Sequence, residues 1–284
     1  MSQTSCSNQT KNNLVMPSAA EVGLVHGALA VLVLGVMACA QRASGQGSSG
    51  PSASQDPNAV SAVNLAITSM GGSTAFNSIQ DATVTGQLSA TNATPSAPAT
   101  QIMWQTIGMS IRCSTTSQSG TSLYTVQNSA GYVEDSSGNV SPMDSRLALT
   151  LYPFHLPGAV LNFLLNAPNE SLSVIQDAGA SANIVHVRFL QQMSDPTLTP
   201  LTQQDWYIDT NLGLPNRVDY YLPNVTNPAQ DGTATILFTS WQKSPTILMP
   251  QVMNTLQNGT STSSITVGAP QFNQGLTASI FTLP

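Results

Sequence analysis

The stretch Asp205–Asn224, DWYIDTNLGLPNRVDYYLPN, sets two runs of alternating aromatic, β-branched and polar residues on either side of a cluster of turn formers. In WYID and RVDYY successive side chains would point to opposite faces of an extended chain. Between them Asn211 and Gly213 tolerate positive φ, and Pro215 leads out of the turn. The reading is a β-hairpin. It also carries Asp205, Asp209, Arg217 and Asp219, a concentration of charge in a chain that has little. They are expected at strand ends or on a wet sheet face, with Arg217 pairing across the hairpin. A pair of carboxylates for general acid-base work, as glycosidases use, is the alternative, but a wet face accounts for the same residues.

The rest of the chain agrees with a β-rich body. Its 284 residues allow one large domain with a real core. Charged residues make up 7%, against about 25% in ordinary soluble domains, so neutral Ser, Thr, Asn and Gln carry the solubility. The formal net charge is -6, and the seven bases stand singly, which argues against nucleic acid as a partner. The three cysteines (Cys6, Cys39, Cys113) and three histidines (His26, His155, His186) contain no close pair, so metal and disulfide frameworks are not expected. No cofactor is implied.

At the N-terminus Gly27–Ala40 is an uncharged run of 14 residues, the length of a secretory h-region and short for a membrane span. Extended back to Val22 it also fits an uncleaved anchor. VMAC, Val36–Cys39, resembles a bacterial lipobox in which Cys39 would be lipidated, whereas ACA, Ala38–Ala40, fits ordinary signal peptidase. Residues 1–40 thus read as a signal peptide or N-terminal membrane anchor, 41–58 as a flexible Ser/Gly/Gln/Pro-rich linker, and 59–284 as a single domain. An exported protein of the periplasm or outer membrane, tethered to a membrane, is expected.

Along the body, Val60, Val63, Ala66, Ile67 and Met70 share one helical face, and Gly71 and Gly72 supply a stop. Period two then takes over in DATVTGQLSA, in TQIMWQTIGMSIRC and in SLYTVQNSAGYVED, the last turning near Asn128–Gly131. Ser141–Pro168 is different: it is apolar, interrupted by Pro153 and Pro157, and predicts two short helices joined by YPFHLPG. Alternation returns from Glu170 and continues to ASIFTLP at the C-terminus.

The phrases AVNLAITSMGG, WYIDTNLGLPNRVDYYLP with its Asp-x-x-x-Gly-x-Pro turn, FTSWQKSPTILMPQVMN and FTLP, in this order, resemble the bacterial lipoprotein-carrier superfamily with its LolA/LolB-like fold. The likeness spans Asn58–Pro284, in a chain that is longer than the carriers and has loops richer in Ser and Thr. It implies an α+β fold: a strongly curved antiparallel sheet, an incomplete β-barrel, with helices covering its concave face. It also implies non-catalytic binding of lipid or lipoprotein acyl chains there.

Within that frame LYPFHLPGAVLNFLL offers Phe154, Leu156, Val160, Leu161, Phe163 and Leu164 as ligand-cavity residues, or simply as core. His155 reads as a surface or hydrogen-bonded loop histidine. His186 and Arg188, two apart, share a face opposite Val185, Val187 and Phe189: a wet face, or an anchor for a lipid headgroup. No GxSxG occurs, so no catalytic residue is assigned. A monomer is expected. The alternatives are a structural or adhesion-type surface domain and a secreted hydrolase.

Overall fold

In a computed structural model the described residues are 53–91, 99–177 and 181–282. The leader, Cys39 and most of the linker lie outside them. Helix α1 spans Pro57–Ser69, with Asp56 as N-cap accepting from Asn58 N at 2.8 Å and Pro at the first turn, where its missing N–H costs nothing. Ala59, Ala62, Val63, Ala66 and Ile67 form its buried face, and Met70, the C-cap, is buried too. Helix α2 is the short Ser73–Asn77. Ser54–Asp56, within the stretch read as linker, are bound to the body: Leu172 N donates to Ser54 O and Asp56 N to Leu172 O, both at 2.9 Å.

Strands β1 (Ala82–Ala90), β2 (Thr100–Ile107), β3 (Ser110–Ser117), β4 (Gly120–Gln127), β5 (Ala130–Glu134) and β6 (Val140–Pro142) follow. TQIMWQTIGMSIRC is therefore two strands, with Met109 at the turn beside Gly108, rather than one alternating run. The β4–β5 turn is where expected, with Asn128 and Ser129 at φ 51° and 62°. Helices α3 (Ser145–Ala148) and α4 (Pro157–Asn166) are the two short helices of the interrupted segment. Then come β7 (Glu170–Ile175), β8 (Ile184–Gln191), β9 (Gln204–Asp209), β10 (Leu214–Leu222), β11 (Gly232–Lys243), β12 (Leu248–Gln257), β13 (Thr260–Val267) and β14 (Gln271–Phe272). Instead of a closing strand, Ala278–Phe281 is a 3-10 turn beside β3 and β4, with Phe281 buried.

All strand pairs are antiparallel, in the order β6-β5-β4-β3-β2-β1-β13-β12-β11-β10-β9-β8-β7, with β14 on β1. The sheet is open: its two ends, β6 and β7, do not pair. Its curvature follows from two consecutive residues. His155 stacks on Trp104 of β2, and Phe154 lies 6.1 Å from Trp206 of β9. Those strands are six spacings apart in the sheet, about 29 Å if it were flat. The sheet must wrap around the segment that touches both, and the expected α+β curved sheet is what the chain forms.

The β9–β10 hairpin is the one read from the sequence. Trp206 and Ile208 face the core, Asp209 Oδ1 accepts from Asn211 N at 2.8 Å, and Gly213 stands at φ 65°. A Cβ at Gly213 would lie 2.1 Å from Ser69 Oγ, so this turn needs glycine both for its backbone and for its contact with α1.

Candidate functional site

The segment before α4 fills the concavity. Phe154 stacks on Tyr220 at 4.8 Å, with Trp206 and Tyr152 6.1 and 6.0 Å away. His155 lies 4.7 Å from Trp104 in a near-parallel stack. It is 1% exposed, not a surface residue, and its Nε2 has no hydrogen-bond partner. Burial lowers its pKa to about 3, so the ring is neutral. Pro153 and Pro157 prevent this stretch from continuing a helix, which is why a loop and not a helix face enters the cavity.

Of the six residues proposed for the cavity, Phe154, Leu156, Val160, Leu161 and Leu164 are buried in the core. Phe163 is 45% exposed on the other side of α4. There it lines a half-open groove of about 600 Å3 between α4, α2 and the β2–β3 turn, together with Phe76, Ile79, Met109, Leu156 and Ala159. The helices approach closely because residue 158 is glycine: a Cβ there would lie 2.1 Å from the Phe76 ring. One wall of the groove is polar. Asn162 Nδ2 donates to Asn77 Oδ1 at 3.0 Å, while Asn162 Oδ1 is buried without a partner. Asp81 also lines it, its carboxyl oxygens accepting from the backbone N–H groups of Gln274, Gly275 and Leu276.

Sequence reasoning missed the buried polar groups at the other end of the concave face. Glu170 is 1% exposed, its Oε1 is unpartnered, and burial raises its pKa to about 8. Gln204 accepts from Trp206 Nε1 at 3.0 Å, but its own Nε2 is unpartnered. Burial pushes Tyr220 up to about 12, and Tyr152 likewise, with the nearby Glu170 adding to the shift. A signal was present: in ESLSVI Glu170 has the parity of Leu172, which places it on the buried face.

The charges of the opening hairpin lie on the convex face. Arg188 Nε and Nη2 reach Asp205 at 2.7 and 3.1 Å across neighbouring strands. His186 Nδ1 lies 2.7 Å from Asp177 and its Nε2 3.0 Å from Asp205. Burial works to raise Asp205, but hydrogen bonds from Arg188, His186 and Gln203 outweigh it and hold its pKa below the usual value. Arg217 does not pair across the hairpin. It pairs with Asp219 two residues on, at 2.8 and 2.6 Å, and its guanidinium lies over the Tyr207 ring. These carboxylates are taken up by neighbouring bases, which accounts for them as sheet chemistry. No group of residues able to hold a metal occurs among the described residues.

This architecture has counterparts among solved structures. A domain from Vibrio parahaemolyticus described as an outer membrane lipoprotein-sorting protein superposes with a TM-score of 0.50 at 11% identity, covering 79% of this chain and 96% of that one. A DUF1329 family protein from Desulfovibrio piger gives 0.49 at 11% identity, covering 79% and 97%. A LolA superfamily protein from Nitrosomonas europaea gives 0.48 at 10% identity, again covering 79% and 97%. At such identity the shared property is the fold, that of the lipoprotein-sorting domain, as the sequence resemblance implied. No protein-family model and no curated protein sequence matches the chain.

Proposed function

We propose that the chain is an exported, non-catalytic protein that binds the acyl part of a lipid or of an acylated protein at the cell envelope. The observation that carries this reading is the half-open apolar groove along α4, where Phe163 stays exposed beside Phe76, Ile79 and Met109. An exposed aromatic ring at the mouth of a cleft lined by Phe76, Ile79, Met109 and Leu156 offers apolar area that an acyl chain can cover. Each ligand methylene buried there contributes about 0.8 kcal/mol. Phe154, Val160, Leu161 and Leu164 would form the apolar wall beneath, reached by a chain that passes Leu156. Support for the class of ligand comes from the fold shared with a domain described as lipoprotein-sorting. Support for the location comes from the h-region and the lipobox-like VMAC, with Cys39 as lipidation site and tether to a periplasmic or outer membrane. The protein acts as a monomer without a cofactor.

The test uses the full chain and a pyrene-labelled monoacylglycerol. Saturable binding is expected, weakened at least tenfold by Phe163→Asp with an unchanged melting curve. Phe163 is suited to this because it is exposed; Leu161, fully buried, would unfold the protein as Asp. A second reading, a structural domain without ligand, is favoured by the aromatic packing of Tyr152–Leu156, which already fills the concavity. Absence of saturable binding by folded protein to neutral, fatty-acid, phospholipid and lipopeptide probes alike would establish that second reading.

A further inference from the structure

The groove along α4 has a charge character that the general reading does not use. Of its lining residues one is acidic, Asp81, and none is Lys, Arg or His. The bases among the described residues are engaged or placed elsewhere. Arg112 donates to Gln105 at 2.8 Å, and by strand alternation both point away from Trp104 and Cys113, which face the core. Arg188 and Arg217 lie on the convex face with Asp205 and Asp219. Arg146 is paired with Asp231, and Lys243 is exposed at the end of β11. The neutral His155, next to Leu156 in the chain, and Glu170 and Gln204 at the other end of the concave face supply no positive charge either.

An anionic head brought into this groove would therefore meet a carboxyl group and no counter-charge, in a cleft only half open to water, where such an unpaired charge is disfavoured. What the groove does offer is the Oδ1 of Asn162, a buried acceptor whose lone pairs are unused while its amide is fixed on Asn77. Resting on the reading of this groove as an acyl site, we infer that it selects an uncharged acyl amphiphile whose head donates an O–H or N–H to Asn162 Oδ1, and that it rejects anionic lipids of the same chain length. Glycerides and acyl amides have such heads. Fatty-acid anions and acidic phospholipids do not.

The experiment compares monoolein, oleate and methyl oleate, three ligands with one acyl chain, on the full chain at pH 7.5. Monoolein is expected to bind at least tenfold tighter than oleate, about 1.4 kcal/mol. Asn162→Leu should weaken monoolein several-fold and leave methyl oleate, which has no donor, unchanged. Asn166→Lys, on an exposed position of the same groove, should raise the affinity for oleate several-fold relative to that for monoolein. Equal or tighter binding of oleate by the wild type overturns the selectivity while the acyl-binding reading stands. Binding of none of the three by folded protein overturns both. Should Asn162→Leu fail to fold, the wild-type comparison and Asn166→Lys decide: no gain for oleate in that variant means charge does not control selection.

Discussion

The two faces of strands β8–β11 are built from alternate residues of the same strands and obey opposite rules. On the concave side Val187, Phe189, Trp206, Val218, Ile236 and Phe238 are buried and touch one another. One residue away on the convex side stand His186, Arg188, Asp205, Tyr207, Arg217 and Asp219, joined by hydrogen bonds, ion pairs and ring contacts. The comparison separates two kinds of stabilisation. The concave face gains from removing apolar area from water, about 25 cal/mol per Å2. The convex face mainly exchanges hydrogen bonds to water for hydrogen bonds among neighbours, with a small net gain.

Three measurements can break or sharpen that contrast. The largest effect is expected at Trp206, which is wholly buried against Phe154 and Phe238. Trp206→Ala should cost about 3–5 kcal/mol in urea unfolding. A loss below about 1 kcal/mol would mean that the interior is loosely packed and open to water.

The next effect tests the exception on the concave face, Glu170. Its pKa is raised from an ordinary 4.5 to about 8 by burial. Between those values the unfolded chain has released the proton and the folded chain keeps it. Stability should therefore fall as pH rises from 4.5 to 8 and level off above, by a few kcal/mol in all. Glu170→Gln should flatten this slope and raise the urea midpoint at pH 8. His155 acts on the other side: with its pKa lowered by burial from 6.5 to about 3, stability is lost as pH falls through that range. The window from 6.5 to 8 thus isolates Glu170. An unchanged slope there in Glu170→Gln would show that its carboxyl reaches water.

The smallest effect is expected at Arg217, whose side chain is 43% exposed although it is paired with Asp219 and lies over Tyr207. Arg217→Met should change stability by no more than about 1 kcal/mol, measured by the same unfolding. A loss as large as that at Trp206 would erase the difference between the faces.

Much of the contrast was legible beforehand because alternation is a local property. WYID and RVDYY placed their charges on one face and Trp206, Ile208, Val218 and Tyr220 on the other, and the Asn-x-Gly-x-Pro turn followed from backbone preferences within five residues. The helical face of α1 and the broken helices around Pro153 and Pro157 were local in the same sense. Not legible were the pairing of Arg217 along its own strand and the 3-10 end at Ala278–Phe281. Side-chain reach and docking against β3 and β4 decide those.

The sequence by itself determined most of the elements and the division of each strand into a wet and a dry side, since periodicity and turn chemistry act between near neighbours, while the curvature of the sheet was only what the resemblance to the lipoprotein-carrier superfamily implied. Only the tertiary structure decided what occupies the concavity. His155 in a loop between two prolines looks like a surface residue until the sheet brings Trp104 and Trp206, six strand spacings apart, around that loop. Likewise, Phe163 has the same composition signal as Leu161 and Leu164 in LNFLL, yet of these three it alone lines the groove. That distinction depends on how α4 is rotated against α1 and α2, which the close contact at Gly158 and Phe76 fixes and no local pattern encodes.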